Sequence, residues 1–84
     1  MEAVLHRSFL KNFKKLPKEV RFKFFERRNL LLDDPFHPLL NNHSVEKAYP
    51  DCRSINITGD YRAIFFERGN ETIFIRIGTH SDLY

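Results

Sequence analysis

The chain has 84 residues, of which 42% are hydrophobic and 14% aromatic, a size and composition that predict one domain over residues 1–84. Its net charge of +3 favours a partner that is a polyanion such as nucleic acid, or an acidic protein. The single cysteine, Cys52, excludes an internal disulfide framework. No apolar run approaches the roughly 18 residues that would span a membrane, and no signal peptide is recognisable. We therefore expect a cytoplasmic protein without a membrane partner.

The N-terminal segment predicts a short strand and then a helix. Residues 3–6 are apolar enough for the strand. Ser8 is a favourable capping residue for a helix over residues 9–16, because its hydroxyl can accept a hydrogen bond from a free backbone N–H group of the first turn. Apolar residues recur at helical spacing in this segment and its lysines fall on the other side, so we expect one buried face.

A second helix is predicted from Pro17 to about Leu32, because proline is favoured in the first turn of a helix. It has two adjacent apolar stripes and a strongly basic remainder. Phe22 falls outside both stripes. Either this side chain packs beneath the first helix or it marks a surface that binds a partner, and the pattern leaves both interpretations open.

The C-terminal half predicts a small sheet. Residues 36–51 contain two prolines and two asparagines, which favour an irregular connection with a short strand near residues 45–49. Three strands follow, over residues 53–58, 61–68 and from 72 onwards. Gly59-Asp60 and Gly69-Asn70 are typical turn residues, and such short turns force antiparallel pairing. The predicted fold class is therefore α+β, with two N-terminal helices packed on a small antiparallel β-sheet.

The last strand runs into a polar tail and carries the first candidate site. Its period of two places Thr72, Phe74, Arg76, Gly78 and His80 on one face. The glycine has no side chain, so a ligand or another backbone can approach the sheet between the arginine and the histidine. A cation, a gap and an imidazole on one face predict a surface that handles anions.

The order of these features resembles the RelE/ParE toxin superfamily, and most of all its YafQ-like branch, over nearly the whole chain. The quoted segments, besides the helix pair, are Leu16-Pro17, Asp34-Pro35, Leu39-Leu40-Asn41-Asn42-His43, Arg53-Ser54-Ile55, Gly59-Asp60-Tyr61-Arg62-Ala63-Ile64 and Gly78-Thr79-His80-Ser81-Asp82-Leu83-Tyr84. The resemblance implies a RelE-like fold, which is similar to that of microbial ribonucleases.

In function, the resemblance implies the toxin of a type II toxin–antitoxin system. Such a toxin is a metal-independent endoribonuclease, without a cofactor, that cuts messenger RNA in the decoding site of the ribosome. The implied partners are the ribosome, the messenger RNA and a cognate antitoxin. The toxin–antitoxin complex is expected to be hetero-oligomeric and to bind operator DNA through the antitoxin.

Metal-independent RNA cleavage needs a base for the 2′-hydroxyl, a cation for the phosphate and an acid for the departing 5′-oxygen. His80 is the natural proton-transfer group, because imidazoles exchange protons near neutral pH. The residues alone do not decide between acid and base, and the resemblance favours general acid. Arg76 is predicted to clamp the phosphate. The alternative for Arg76 and Arg62 is a surface ion pair with a nearby carboxylate.

The resemblance assigns further catalytic residues. Arg62 resembles the arginine that stabilises the transition state in the RelE branch, and Tyr84 is expected to stack on a base or to orient the phosphate. His43 and Asp60 match positions implicated in YafQ-like enzymes, as a second proton-transfer group and a residue that orients one. His37 and His43 lack the spacing of a metal site.

Arg53, Asn56 and Tyr61 complete the predicted site as substrate-binding residues. Asn56 departs from the family pattern, since YafQ-like proteins tend to have a histidine there and RelE-like ones a lysine. Asparagine can bind a phosphate oxygen but does not exchange a proton at neutral pH. This departure leaves open a catalytically decayed module that only binds the antitoxin. The other alternative is a ParE-like inhibitor of DNA gyrase with the same fold.

Overall fold

The chain folds into a five-stranded sheet that carries two helices on one face, in a computed structural model that describes residues 2–84. The elements are β1 (Glu2–Leu5), α1 (Arg7–Phe13), α2 (Lys18–Asp33), a 3₁₀ turn (Pro38–Leu40), β2 (His43–Ser44), β3 (Arg53–Asn56), β4 (Tyr61–Arg68), β5 (Glu71–Thr79) and α3 (His80–Leu83). The strand order is β1-β5-β4-β3-β2. Within the described range, no helix is both long and apolar enough to cross a membrane.

The predicted α+β class is confirmed, with one correction to the sheet. The two predicted hairpins, β3–β4 and β4–β5, are antiparallel. β1, however, pairs with β5 in parallel, so the sheet is mixed rather than purely antiparallel. The reason is the path of the chain, because α1 and α2 cross one face of the sheet between β1 and the hairpins and bring β1 to the edge of β5.

Apolar side chains pack on both faces of the sheet. The larger cluster lies under α1 and α2, and its centre is a set of phenylalanines from helices and strands. The ring centroids of Phe9 and Phe24 are 4.9 Å apart, those of Phe24 and Phe74 are 5.1 Å apart, and those of Phe65 and Phe74 are 5.6 Å apart. A smaller cluster on the opposite face contains Ile64, Cys52 and Leu83. The second face is thus only partly covered, which leaves room for a site.

Several predicted boundaries were wrong: α1 ends at Phe13 rather than at residue 16, β3 ends at Asn56 rather than at residue 58, and two further differences have a clear cause in hydrogen bonding. α1 begins two residues early, at Arg7, because the Nδ1 atom of His6 accepts the backbone N–H of Ser8 at 3.1 Å and caps the helix in place of the Ser8 hydroxyl. Residues 45–49 form a turn rather than a strand. Their hydrogen bonds are local, with the N–H of Tyr49 donated to the carbonyl of Val45 at 2.8 Å.

A β-bulge in β5 changes which residues share a face. Ile64 pairs with Arg76 and Phe65 pairs with Phe74, so Ile75 is an extra residue without a partner. Phe74 therefore faces the helices, whereas Arg76 faces the opposite side together with Ile64. The prediction that Thr72 and Phe74 share a face with Arg76 was wrong for this reason.

Ser8 fastens this bulge to α1. Its hydroxyl donates a hydrogen bond of 2.7 Å to the carbonyl of Ile75. We expect Ser8→Ala to lower the free energy of unfolding by about 0.5–1.5 kcal/mol, because a partly buried carbonyl loses its partner. Urea denaturation measures the change, with Ser81→Ala as the control at an exposed serine. Equal midpoints for both variants would contradict a role for this bond.

Candidate active site

A groove of about 660 Å³ lies on the sheet face opposite α1 and α2. The segment around β2 forms one wall, β4 forms the floor, and α3 forms the other wall. The lining residues are Asn41, His43, Ser44, Val45, Glu46, Lys47, Ala48, Arg62, His80 and Tyr84. Four predicted catalytic residues, namely His43, Arg62, His80 and Tyr84, are therefore brought together from three distant parts of the chain.

The short helix α3, which sequence reasoning took for a polar tail, presents His80 to the groove. Thr79 caps the helix: its side chain accepts the N–H of Asp82 at 3.2 Å, while a carboxylate oxygen of Asp82 accepts the N–H of Thr79 at 3.0 Å. This reciprocal pair is a capping box. A side chain at Gly78 would meet the Asp82 Cβ at 3.0 Å. The predicted gap at this glycine is thus filled by the turn of α3, not left open for a ligand.

The capping box gives α3 a pH dependence. Hydrogen bonds from the backbone and then from the side chain of Thr79 lower the pKa of the Asp82 carboxyl. A lowered pKa in the folded state means that the bonds stabilise α3 above the ordinary aspartate pKa and are lost as the pH falls through the folded-state pKa. We expect the amide resonance of Thr79 to shift as the pH drops below about 4. An NMR titration measures this shift, and Asp82→Asn should abolish it; a shift that survives in the variant would contradict the assignment.

Tyr84 packs beside His80 at the end of α3. Their ring centroids are 4.8 Å apart, and the N–H of Tyr84 donates to the carbonyl of His80 at 3.0 Å. Tyr49, which sequence reasoning missed, supports this arrangement because its hydroxyl donates to the carbonyl of Leu83 at 2.6 Å and its ring lies 6.0 Å from that of Tyr84. Tyr49 therefore helps to fix the Tyr84 ring beside the imidazole of His80.

The Tyr84 phenol is a hydrogen-bond donor at neutral pH. Burial and then Tyr49 raise its pKa, while Ser54 and Arg62 act in the opposite direction. The hydroxyl of Ser54 is fully buried and makes no hydrogen bond of good geometry among residues 2–84, although it lies close enough to the phenol to influence its pKa. A protonated phenol can orient an anionic oxygen that enters the groove.

His43 is held in one tautomer by the backbone. Its Nδ1 atom lies 2.7 Å from the carbonyl oxygen of Asn41, which can only accept a hydrogen bond, so Nδ1 carries the proton. The neutral ring then has an unprotonated Nε2 atom, which can accept a proton from a substrate. Asn41 adopts the left-handed conformation with φ 47°, and this turns its carbonyl towards the imidazole. No sequence signal except the tolerance of asparagine for this conformation pointed to Asn41.

Arg62 supplies a guanidinium group to the groove. It projects from β4 on the same face as Gly78, its partner on β5. Across residues 2–84, the one side-chain ion pair joins Lys23 to Glu26, so neither Arg62 nor Arg76 has the ion pair that was the alternative interpretation. Arg76 is exposed and does not line the groove. Of the two predicted arginines, Arg62 is thus the one whose guanidinium lines the groove, where the ammonium group of Lys47 is a second cation.

Three other predicted residues lie outside the groove. Asp60 is exposed in the turn between β3 and β4. Tyr61 packs against the helix-side core. Arg53 also lies on that side, since it pairs with Phe65, and its Nε atom donates to the side-chain oxygen of Asn42 at 2.7 Å. The structure therefore gives Arg53 and Tyr61 packing contacts and does not bring them to the other predicted residues.

Asn56 is at the edge of the site. It pairs with Arg62 across the β3–β4 ladder and shares its face. The side-chain oxygen of Asn56 is buried without a hydrogen-bond partner in the described part of the chain. This oxygen can orient the guanidinium or a hydroxyl group, but it offers no proton for acid–base chemistry.

Most of the polar groups that line the groove are cations or hydrogen-bond donors. Imidazole, guanidinium, ammonium and phenol groups line it, from His43, His80, Arg62, Lys47 and Tyr84, together with the carboxylate of Glu46, which accepts the N–H of Asp51 at 2.7 Å. In residues 2–84, no three histidine, cysteine, aspartate or glutamate side chains lie close enough together to bind a metal ion. Cations and hydrogen-bond donors around an open groove are groups that can bind a phosphate.

Several solved structures of toxins have a similar fold. E. coli YafQ is 20% identical, with 98% of this chain and 96% of that chain covered at a TM-score of 0.82. A copper-bound mutant toxin from Helicobacter pylori is 23% identical, with 100% of this chain and 99% of that chain covered at a TM-score of 0.79. A chain of the RelB–RelE antitoxin–toxin complex of Methanococcus jannaschii is 20% identical, with 96% of this chain and 94% of that chain covered at a TM-score of 0.74. These likenesses show that the fold is the predicted RelE-like one.

The sequence itself matches one family. No curated protein matches the chain at a significant level. A family model described as the ParE toxin of type II toxin–antitoxin systems, parDE, matches residues 3–84, which is nearly the whole chain. This match confirms the resemblance to the RelE/ParE superfamily. The chain therefore belongs to the family of ParE toxins of type II toxin–antitoxin systems.

Proposed function

We propose that this toxin is a ribosome-dependent endoribonuclease that cleaves messenger RNA and thereby inhibits translation. The observation that carries the proposal is the groove itself, which gathers His43, Arg62, His80 and Tyr84 around a space that fits a phosphodiester. A protein that acted only by binding has no need for two imidazoles on opposite walls with a guanidinium between them. Acid, base and cation are the three groups that cleavage requires.

The proposed reaction uses these residues in one displacement. The Nε2 atom of His43 takes the proton of the 2′-hydroxyl, and the 2′-oxygen forms a bond to phosphorus. Arg62 stabilises the charge that develops on the non-bridging oxygens. The bond from phosphorus to the 5′-oxygen breaks as protonated His80 donates its proton to that oxygen. The products are a 2′,3′-cyclic phosphate and a 5′-hydroxyl, and Tyr84 orients the phosphate or stacks on a neighbouring base.

The proposed reaction implies a location and partners for the toxin. The toxin acts in the cytoplasm, on messages in the ribosomal decoding site, and its positive charge favours docking to RNA. A cognate antitoxin neutralises it, as the RelB–RelE complex with the same fold suggests. The toxin–antitoxin complex is hetero-oligomeric and binds operator DNA through the antitoxin.

A second candidate function is inhibition of DNA gyrase by binding. The observation in its favour is the family model, which is that of ParE toxins rather than of ribonucleases. This function needs no acid–base pair, so it predicts that the groove residues can be replaced without loss of toxicity. A third possibility, a decayed module that only binds the antitoxin, rests on Asn56 and predicts no toxicity at all.

Expression in bacteria separates the three functions. The wild type and His80→Ala are induced, growth is followed, and primer extension on a reporter message maps new 5′ ends. New ends in register with the reading frame, absent for the variant, support the endoribonuclease. Growth arrest with intact messages and induced DNA damage favours gyrase inhibition. Normal growth with wild-type protein present favours the decayed module.

A further inference from the structure

One carboxylate lies among the cations of the groove. Glu46 is the single acidic residue in its lining, and the mechanism proposed above gives this residue no role. Within residues 2–84 the Glu46 side chain has no ion-pair partner. A carboxylate repels a phosphate, so Glu46 opposes the other charges of the groove unless it meets a hydrogen-bond donor of the substrate.

Hydrogen bonds hold this carboxylate in place. Its Oε2 atom accepts the backbone N–H of Asp51 at 2.7 Å, and the backbone N–H of Glu46 donates to the Ser44 hydroxyl at 3.3 Å. Asp51 has a φ of 64°, in the left-handed region that a residue other than glycine keeps only where its surroundings fix it. The side chain is therefore oriented before a ligand binds, and it loses little conformational entropy on binding.

The loop that carries Glu46 is joined to the opposite wall of the groove. Within the loop, the N–H of Val45 donates to the carbonyl of Cys52 at 3.0 Å. From the loop, the hydroxyl of Tyr49 donates to the carbonyl of Leu83 in α3 at 2.6 Å. The carboxylate is thus held at a fixed place relative to α3, which presents the proposed general acid.

The chemistry of a carboxylate separates guanine from the other three bases. A carboxylate accepts hydrogen bonds and donates none, and its two oxygens have four lone-pair positions, of which the N–H of Asp51 takes one. Single-stranded RNA exposes the Watson–Crick edges of its bases. The edge of guanine has two adjacent donors, N1–H and N2–H. Adenine and cytosine have one donor beside an acceptor nitrogen, and uracil has one donor between two carbonyl oxygens, so each places an acceptor against the carboxylate.

The groove has room for a base as well as a phosphate. Its volume of about 660 Å³ lies within the range of about 300–1,000 Å³ that is usual for small-molecule sites. Tyr84, on the α3 side, is 49% exposed, so part of its ring is accessible to a base. Aromatic side chains stack on any base, and selectivity must therefore come from a group that contacts the base edge.

We propose that Glu46 selects guanine at a nucleotide next to the scissile phosphate. The base donates N1–H to one carboxylate oxygen and N2–H to the other, while Tyr84 stacks on its face. Glu46 is thus a specificity-determining residue and takes no part in proton transfer. The inference rests on the proposed function, because it names the base that the same groove recognises.

The alternative role of Glu46 is structural, namely to accept the N–H of Asp51, and Glu46→Gln separates the two roles. The amide oxygen of glutamine can still accept that N–H, so the loop is kept. The amide NH₂ group replaces one acceptor with a donor, which complements N1 and N6–H of adenine and not the two donors of guanine. Glu67→Gln is the matched control, because it is the same substitution at an exposed carboxylate outside the groove.

The measurement is an NMR titration of the ¹⁵N-labelled full-length protein with trinucleotides that differ in the central base. The sugars are 2′-deoxyribose, so the ligands have no nucleophile and binding is observed without cleavage. We expect guanine to bind roughly fivefold or more tightly than adenine, cytosine or uracil. Hypoxanthine, which lacks the 2-amino group, should lose part of that advantage. Glu46→Gln should favour adenine over guanine, and Glu67→Gln should keep the wild-type ratios.

The inference is overturned if the four bases bind alike, if none binds, or if Glu46→Gln keeps the preference for guanine. Mapping the 5′ ends of a reporter message after induction distinguishes this failure from failure of the proposed function. Cleavage by the wild type without guanine beside the cut contradicts the inference and leaves the endoribonuclease standing. Guanine-selective binding without any cleavage supports the inference and contradicts the endoribonuclease.

Discussion

Replacing His80 with alanine is expected to lower the rate of messenger-RNA cleavage by roughly 10²- to 10⁴-fold, which is the usual contribution of a general acid or base. His80 is exposed at the start of α3 and makes no side-chain hydrogen bond among residues 2–84 that the fold would lose. Alanine also has the highest helix propensity, so α3 should persist. The loss should therefore appear in the rate of the chemical step and not in stability.

Single-turnover cleavage on programmed ribosomes measures this effect, and thermal unfolding verifies the fold. Ser81→Ala is the control, because Ser81 is the next residue of α3, is exposed and does not line the groove. Cleavage at the wild-type rate in the variant would remove His80 from the mechanism.

The hairpins were predictable because their signals are local. Gly59-Asp60 and Gly69-Asn70 lie between apolar runs, and Gly69 has the positive φ of 59° that such a turn requires. The parallel pairing of β1 with β5 could not be predicted in this way. Ala3 and Thr72, which pair in the sheet, are separated by nearly the whole chain. Pairing between distant segments leaves no mark in the local pattern of either one.

The site was predicted in part, and one error has a clear physical cause. From Ile73 to Ile77 the sequence alternates without a break, so nothing shows the extra residue at Ile75 that puts Phe74 and Arg76 on opposite faces. Arg76 does share a face with Gly78, as predicted, but its side chain is exposed and does not line the groove. The turn of α3, in contrast, had a signal, since a threonine followed three residues later by Asp82 matches a capping box.

Arg62 and Arg76 were both predicted to be catalytic, but their replacement is now expected to lower cleavage to different extents. Arg62→Ala should lower cleavage by roughly 10²- to 10³-fold, the usual effect of removing one preorganised group that stabilises charge in the transition state. Arg76→Ala should have a much smaller effect, because its side chain is exposed outside the groove, next to Ile64 rather than Gly78. Each variant removes one positive charge from the same sheet face, so long-range attraction to RNA falls equally in both.

Rates on ribosomes at two salt concentrations distinguish these contributions. A long-range effect of charge weakens with salt, whereas direct contact with the phosphate in the transition state persists in the single-turnover rate. Arg62→Lys should recover only part of the rate, since an ammonium group cannot reproduce the two parallel hydrogen bonds of a guanidinium. If Arg76→Ala loses as much as Arg62→Ala, the phosphate lies nearer to β5 than the groove indicates, and the catalytic cation would have to be reassigned.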